Sequence, residues 1–372
     1  MKNIEALPLN KENFKDLFSL NFLIILVISF PSAIVAEYFK IPLAWMLGPM
    51  LTISIATLSG LKLKMPKLAL SVILIVLGLY IGNYIDEKLL KQTHKWIGTS
   101  AIMFIYIMIC IIFVSKYLEK FANYEKKTSY FSAAPGGLGP LVMLAEHEKS
   151  DISQVATSHL IRLIVIITAF PFIVNQFANG TLLVDEEFNF LDQNHYELIY
   201  LVIASIILIF IFDRIKVPAP LLSGTLVASG ILQISNIAYY QLPTQSIDFG
   251  LLILGASVGC RFAGKTLKEV YSNTKHSIVA TLLLVLFSVI AAYAATFIID
   301  KNFFSLLLAY CPGGIYEVAV IAIAFDLDPE FVSFHHIIRL LMILFTVPIM
   351  VKILNKKRGR KYGKRNACNS KT

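Results

Sequence analysis

Charged residues are scarce in this chain of 372 residues. Asp, Glu, Lys and Arg together make up 15% of it, whereas ordinary soluble domains contain roughly 25%. Hydrophobic residues account for 57%, and the mean hydropathy is +0.71. Because apolar runs long enough to cross ~30 Å of hydrocarbon recur along the whole chain, the sequence predicts an integral membrane protein rather than a soluble domain.

The sequence also lacks the motifs of several other protein classes. It has no phosphate-binding glycine loop, no clustered His/Cys/Asp metal set and no polar stretch able to fold as a DNA-binding domain. The four cysteines show neither metal-like nor disulfide-like spacing, and residues 1–15 contain no obvious signal-peptide cleavage site. We therefore expect free thiols, no metal, no cofactor, no nucleic-acid partner and a first membrane helix over residues 22–36.

The net charge of +9 comes from one segment near the C-terminus. That segment carries nine basic residues and no acidic residue, so the rest of the chain is neutral. A basic stretch that follows a membrane helix is typical of a cytoplasmic anchor, which obeys the positive-inside rule and contacts anionic lipid. The basic residues are Lys352, Lys356, Lys357, Arg358, Arg360, Lys361, Lys364, Arg365 and Lys371.

One short motif occurs twice, about 177 residues apart. Each copy has a Pro-Gly-Gly, then a His, and then an Arg three residues after the His, all within apolar segments. A helix-breaking sequence and an Arg that are both duplicated inside apolar segments indicate a polar site within the membrane. The copies are Pro135-Gly136-Gly137 with His159 and Arg162, and Pro312-Gly313-Gly314 with His336 and Arg339.

Weaker similarity extends this repeat over nearly the whole chain. Ile41-Pro42 near the start of the first half matches Val217-Pro218 in the second half. Two pairs of glycines, each four residues apart, also match, and this spacing lets a neighbouring helix approach closely. We therefore predict that these glycines serve helix packing; they are Gly78 and Gly82, matched by Gly255 and Gly259.

Each half contains six apolar segments. If all twelve crossed the membrane, the basic loop 261–275 would lie outside and the acidic linker 179–196, which joins the two halves, would lie inside. Both positions oppose the positive-inside rule. If each Pro-Gly-Gly segment instead enters and leaves through the same face, ten spans remain, and the odd number per half inverts the second half. We prefer this all-α membrane fold of two homologous, inverted halves, each with five spans and one re-entrant hairpin. The segments are 20–37, 43–60, 67–85, 97–115, 129–147 and 153–174, then 197–212, 218–235, 246–262, 276–298, 303–325 and 330–351.

This arrangement places both termini in the cytoplasm. The predicted regions are an N-terminal cytoplasmic tail 1–19, membrane repeat one 20–178, an acidic external linker 179–196, membrane repeat two 197–353 and a basic cytoplasmic tail 354–372.

Both Pro-Gly-Gly sequences are expected to break a helix at membrane depth. Proline lacks a donor, and glycine tolerates unusual backbone dihedrals. Broken backbone inside a membrane is tolerated where protein or a water-filled cavity satisfies it. The helix that begins after each break would point its N-terminal amides at that cavity, an environment that suits an anion. A purely structural kink is the alternative interpretation.

Arginine in the middle of a bilayer costs ~2.5–3.5 kcal/mol, so Arg162 and Arg339 must face protein, water or a bound anion. Their functional interpretation is anion binding; the structural one is that each caps its own hairpin's carbonyls. Glu317 lies within one turn of the second Pro-Gly-Gly, where it could bind a coupling ion or pair with either arginine. Asp151-Ile152-Ser153-Gln154 is typical of a helix N-cap.

With the repeat laid out, the chain resembles the AbrB family of duplicated multi-pass membrane proteins, which is unrelated to the small soluble DNA-binding regulator of that name. The resemblance rests on the two motif copies, on Leu47-Gly48-Pro49 and on Tyr316-Glu317. Members often carry a Glu after the first Pro-Gly-Gly as well, where this chain has Gly139-Pro140. The resemblance implies a fold similar to that of inverted-repeat secondary transporters. Family members are also labelled ammonia monooxygenases or regulators of gene expression.

Our leading hypothesis is a secondary transporter of the bacterial cytoplasmic (inner) membrane that binds a small organic solute, favoured to be anionic, between the two Pro-Gly-Gly hairpins. Its expected partners are the lipid bilayer, the solute and a coupling proton or cation; a homo-oligomer is left open. The alternative is a membrane-bound sensor or regulator that signals through its basic tail. Because oxygen activation needs a metal or an organic cofactor and no ligand set is visible, we do not expect an enzyme.

Overall fold

The structure, a computed structural model, describes residues 11–85, 87–177, 195–238, 240, 242–265 and 267–369. The described residues form fifteen helices and no strand. Most of the predicted acidic linker and part of the predicted N-terminal tail lie outside them. The helices are α1 Lys11–Leu17, α2 Leu20–Tyr38, α3 Ala44–Leu58, α4 Lys67–Gly82, α5 Glu87–Phe121, α6 Lys126–Ala133, α7 Leu138–His147, α8 Ile152–Phe177, α9 His195–Arg214, α10 Pro220–Ile234, α11 Thr244–Cys260, α12 Leu267–Thr296, α13 Phe303–Tyr310, α14 Ile315–Ala324 and α15 Pro329–Asn369.

Six helices among the described residues are long and apolar enough to cross a membrane, and the chain is accordingly a multi-pass membrane protein. Four further apolar helices, α3, α4, α10 and α11, are shorter, with 15 to 17 residues each. The exposed side chains of α9, such as Ile203 and Ile207, are apolar and suit contact with lipid. The six candidate spans are Glu12–Tyr38, His94–Phe121, Ile152–Phe177, Tyr196–Arg214, Thr274–Thr296 and Pro329–Val351.

Four short helices pack side by side as two pairs, α3 with α11 and α4 with α10. Glycine makes both contacts close. A Cβ on Gly255 would lie 2.1 Å from the Met46 carbonyl oxygen, and one on Gly78 would lie 2.7 Å from the Leu222 carbonyl oxygen. Each pair joins one helix from the first half of the chain to one from the second. The glycines predicted to serve helix packing therefore do so between the halves.

The chain reverses direction at each Pro-Gly-Gly. In the first copy, Lys127 near the start of α6 donates to Glu148 just after α7, with Nζ 3.1 Å from Oε2. In one straight helix these residues would be about 30 Å apart. In the second copy, Lys301 before α13 pairs with Asp328 after α14. We call α6–α7 hairpin one and α13–α14 hairpin two.

The bases of the two hairpins lie at opposite ends of the long helix α5. Tyr124, just past the end of α5, contacts Ser158 near the start of α8, whose first turn adjoins hairpin one. Trp96, near the start of α5, packs its ring 5.5 Å from that of Phe331 in α15. Lys301 at the base of hairpin two lies over the same Phe331 ring. The hairpins thus enter the molecule from opposite ends.

Candidate functional site

The predicted site residues lie at the inner ends of the two hairpins and on the helices that follow them. Pro135, Gly136 and Gly137 form the break between α6 and α7, and Pro312, Gly313 and Gly314 form the break between α13 and α14. The short helices have eight and ten residues, or about 12 and 15 Å. Each break therefore lies roughly half a bilayer thickness from its hairpin's base.

The glycines of the breaks provide space rather than unusual dihedrals, contrary to expectation. Gly60 and Gly264, both outside the hairpins, are the glycines with positive φ among the described residues. A Cβ on Gly313 would lie 2.4 Å from Val318 Cγ2, and one on Gly314 would lie 1.9 Å from Glu317 Oε2. The tight turn of hairpin two thus leaves no room for a side chain at either glycine.

Arg162 binds the broken backbone of hairpin one. It is 3% exposed. Its Nη1 donates to the Ala134 carbonyl at 2.7 Å, and its Nη2 donates to the Ser132 carbonyl. These carbonyls stand where α6 ends, so a following helical turn does not supply their donors. The guanidinium group satisfies them with two of its five N–H groups.

Arg339 makes the corresponding contacts in hairpin two. It is 2% exposed, and it donates from Nη1 to the Cys311 carbonyl and from Nη2 to the Gly313 carbonyl, the latter at 2.7 Å. Both arginines therefore cap their own hairpins, as the structural interpretation of these residues predicted. These contacts leave part of each guanidinium group unused. The Nε atoms of both arginines are buried without a hydrogen-bond partner among the described residues.

The two motif histidines orient the arginines. His159 Nε2 lies 3.0 Å from the Phe131 carbonyl, and His336 Nε2 lies 2.9 Å from the Leu308 carbonyl. Because a carbonyl can only accept, each Nε2 must carry the proton. Each Nδ1 then accepts from the neighbouring arginine, at 3.3 Å from Arg162 Nη1 and 3.2 Å from Arg339 Nη2. Both rings are thus neutral and occupied at both nitrogens.

Glu317 pairs with an arginine that the sequence did not single out. Its carboxylate is 2% exposed, and Oε1 lies 3.1 Å from Nη2 of Arg261, whose side chain is 30% exposed at the end of α11. The pairing with Arg162 or Arg339 considered from the sequence is therefore wrong. At the matching positions of the first half, the chain has Pro140 and Tyr84, so this ion pair belongs to one half alone.

Tyr106 is the second residue that the sequence analysis missed. It lies on α5, is 2% exposed, and packs its ring 6.1 Å from that of Tyr310, which directly precedes Cys311. Its hydroxyl is buried without a hydrogen-bond partner among the described residues. A tyrosine near the middle of a predicted span, away from the interfaces where tyrosine is enriched, was the available signal.

The described residues contain no group of three or more His, Cys, Asp or Glu residues that could hold a metal ion. The arrangement combines two buried guanidinium groups, two neutral histidines and one carboxylate that is already paired. Such a set of side chains can bind an anion and neutralise its charge.

A family model described as "Transition state regulatory protein AbrB" matches this chain in two overlapping segments, residues 6–87 and 45–355. The chain belongs to the AbrB family. Both hairpins, both arginines and the Arg261–Glu317 pair lie within the second of the matched segments.

Two curated relatives of this AbrB family protein extend over most of its length. The Escherichia coli (strain K12) protein named "Putative regulator AbrB" is 21% identical and aligns with 85% of this chain and 91% of its own length. The Bacillus subtilis (strain 168) protein named "Uncharacterized protein YhjN" is 20% identical and aligns with 78% of this chain and 80% of its own length. No solved structure matches the chain.

Proposed function

We propose that this AbrB family protein is a secondary transporter built from two inverted repeats. Each repeat would contribute five spans and one re-entrant hairpin, with the four short apolar helices completing ten spans. The opposite positions of the two hairpin bases support this proposal, because inverted repeats bring equivalent elements in from opposite membrane faces. Both termini then lie in the cytoplasm of the bacterial cell, where the basic tail follows the positive-inside rule.

The solute would bind between the inner ends of the hairpins. The observation that carries this proposal is the pair of buried arginines, each of which keeps an Nε–H without a partner among the described residues. Two cations in a low-dielectric interior favour an anionic organic solute. Broken backbone at both hairpin ends suits a cavity that opens alternately to either face.

Glu317 and Arg261 would handle the coupling proton or cation. The buried Glu317 carboxylate is paired with an arginine that is partly exposed, and it can exchange this partner for a proton or a metal cation when the hairpin moves. His159 and His336 are less suited to this role, because proton uptake at Nδ1 would break the contact with the arginine.

Transport is tested by reconstituting the purified protein in liposomes and supplying an isotopically labelled extract of bacterial metabolites. Mass spectrometry of the washed vesicles should show accumulation of one or a few small organic anions. A folded Arg162→Lys or Arg339→Lys variant should lose most of this accumulation, because lysine offers one ammonium group in place of the planar fork. If no solute accumulates over protein-free liposomes, transport is excluded under these conditions.

A membrane-bound sensor or regulator is the second candidate, favoured by the names of the family and of the relative from E. coli. Deletion of residues 356–372 separates the two candidates. A transporter should keep its uptake without these residues, whereas a sensor that signals through the basic tail should keep solute binding and lose its effect on gene expression.

A further inference from the structure

We propose that Tyr106 joins Arg162 and Arg339 in a site for one carboxylate group of a small organic anion. This inference rests on the proposed transport function and names the ligand class and a third residue for its solute site.

Near the inner ends of the two hairpins, three buried hydrogen-bond donors have no partner among the described residues. They are the hydroxyl of Tyr106 and the Nε–H groups of Arg162 and Arg339. The Cys110 thiol lies beside the hydroxyl, one turn along α5, but sulfur is a weak acceptor. Leaving a buried donor unsatisfied costs roughly as much as a lost hydrogen bond, so three such donors together indicate a missing acceptor.

The hairpin contacts bring the two arginines together. Gly136 of hairpin one faces Ile343, with a Cβ position 3.1 Å from Ile343 Cδ1, and Ile343 lies one turn beyond Arg339 on α15. Gly313 of hairpin two faces Ile166, with a Cβ position 3.4 Å from Ile166 Cγ2, and Ile166 lies one turn beyond Arg162 on α8. Each hairpin end therefore contacts the helix that carries the other hairpin's arginine.

Tyr106 lies between these elements. The charges of both guanidinium groups act on its hydroxyl, and the two guanidinium groups act on each other. The Tyr106 ring also packs against Tyr310, next to the Cys311 carbonyl that Arg339 binds. The hydroxyl is thus placed to contact a ligand held by either arginine.

The positive charge of the site favours the binding of an anion. Arg162 and Arg339 are both bound to uncharged carbonyls and neutral histidines rather than to carboxylates. Glu317, the carboxylate on the nearby hairpin, is paired with Arg261. Two adjacent buried positive charges repel each other in a low-dielectric interior, and a bound carboxylate would both relieve this repulsion and accept from the three free donors.

The asymmetry of the site indicates one ligand rather than two. The position in the second half that matches Tyr106 is Leu283, which offers no donor. A single tyrosine is therefore shared by two equivalent arginines, and a single carboxylate with two oxygens can accept from all three groups.

The test compares Tyr106→Phe with Tyr310→Phe, the same chemical change in two buried neighbours. The Tyr310 hydroxyl donates to the Thr99 carbonyl at 2.7 Å, so its loss leaves a buried acceptor unsatisfied and should lower the melting temperature. Loss of the unpartnered Tyr106 hydroxyl should leave the melting temperature of the unliganded protein unchanged or higher.

Ligand binding is then measured by thermal shift and calorimetry with sodium acetate as the probe, acetamide as its uncharged isostere and sodium chloride as a halide. Acetate should stabilise the wild-type protein and Tyr310→Phe, and acetamide should not. Tyr106→Phe should bind acetate at least roughly tenfold more weakly, the effect of removing one hydrogen bond to a charged group.

Three results would overturn the inference: unchanged acetate affinity in Tyr106→Phe, equal stabilisation by chloride, or no stabilisation of the wild-type protein by acetate. None of them decides transport, which is measured with the labelled extract and assumes no particular ligand. If uptake depends on Arg162 and Arg339 while Tyr106→Phe takes up solute normally, the transport proposal stands and the role of Tyr106 is refuted.

Discussion

At the scale of single residues, the most informative groups are polar atoms inside an apolar interior. A helix that breaks within a membrane leaves carbonyl oxygens without donors, and no water is available in hydrocarbon to replace them. Arg162 and Arg339 supply donors to the Ser132 and Gly313 carbonyls, respectively. Each arginine also gives a second donor to a carbonyl, at Ala134 or Cys311, that accepts from the backbone N–H two residues on. A buried positive charge is thus tied to the stability of each hairpin.

Replacing Arg162 by methionine should destabilise the protein by roughly 3 kcal/mol or more. The change leaves the Ser132 carbonyl and His159 Nδ1 buried without donors, at about 1–3 kcal/mol each, while the Ala134 carbonyl keeps the Gly136 N–H as its donor. Unfolding in mixed detergent micelles measures the difference. Arg214→Met, at an exposed arginine at the end of α9, is the control and should change stability by about 0.5 kcal/mol or less. Equal stability of the two variants would refute the capping role.

The Arg261–Glu317 pair should show strong energetic coupling. Removing Arg261 alone leaves the buried Glu317 carboxylate unpaired, which is more costly than removing both charges. In a double-mutant cycle of Arg261→Met and Glu317→Gln, we expect a coupling free energy on the order of 1–3 kcal/mol. Additive effects of the two changes would show that the pair contributes nothing.

At the scale of helices, glycine determines which helices can pack with their backbones in close contact. The four short apolar helices pack as two pairs whose backbones approach one another at Gly78 and Gly255. Membrane helices gain little from burying apolar side chains, because lipid is apolar as well, so close van der Waals packing becomes the main source of association. The two pairs also join the two halves of the chain into one body.

Gly255→Ala should therefore destabilise the protein by about 1–3 kcal/mol. The added Cβ would lie 2.1 Å from a backbone oxygen of α3, which cannot move without displacing that helix. Gly250→Ala, on the same helix, is the control: its Cβ would be 3.1 Å from Ile73 Cγ2, a side-chain methyl that would have to shift by only a few tenths of an ångström, and no backbone atom stands in the way. Alanine's better helix propensity, up to ~1 kcal/mol, should keep that variant within about 1 kcal/mol of the wild type in the same unfolding assay.

At the scale of the whole molecule, the two hairpins enter from opposite ends. Lys149, after hairpin one, and Asp326, after hairpin two, occupy matching positions, and both are exposed with positive φ. In the proposed orientation, Lys149 faces the cytoplasm and Asp326 faces the outside.

Single substitutions Lys149→Cys and Asp326→Cys, made after the native cysteines are replaced by serine, test this orientation. An impermeant maleimide added to intact cells should label the cysteine at 326, and the cysteine at 149 should be labelled only after the membrane is opened. Labelling of both from the same face would refute the inverted arrangement, whatever the stability of each hairpin.

Much of the local structure could be predicted from the sequence. The apolar segments correspond to helices, because their length and composition leave no other way to satisfy the backbone in lipid. The predicted capping role of Asp151 is confirmed, because the backbone N–H of Gln154 donates to Asp151 Oδ1 at 2.9 Å. The repeated Pro-Gly-Gly was correctly predicted to break its segment, because proline and the short span on either side act locally.

The partners of the charged groups needed the tertiary structure. Arg261 lies 56 residues from Glu317, and Tyr106 comes from a helix whose counterpart carries a leucine at the matching position. No spacing rule connects such residues, because their contact depends on how deep hairpin two reaches and which helix end it meets. The sequence by itself determined which segments are apolar, where they break and which of them carry charges. The packing of separate helices alone decided which partner each buried charge has and which buried donors have none among the described residues.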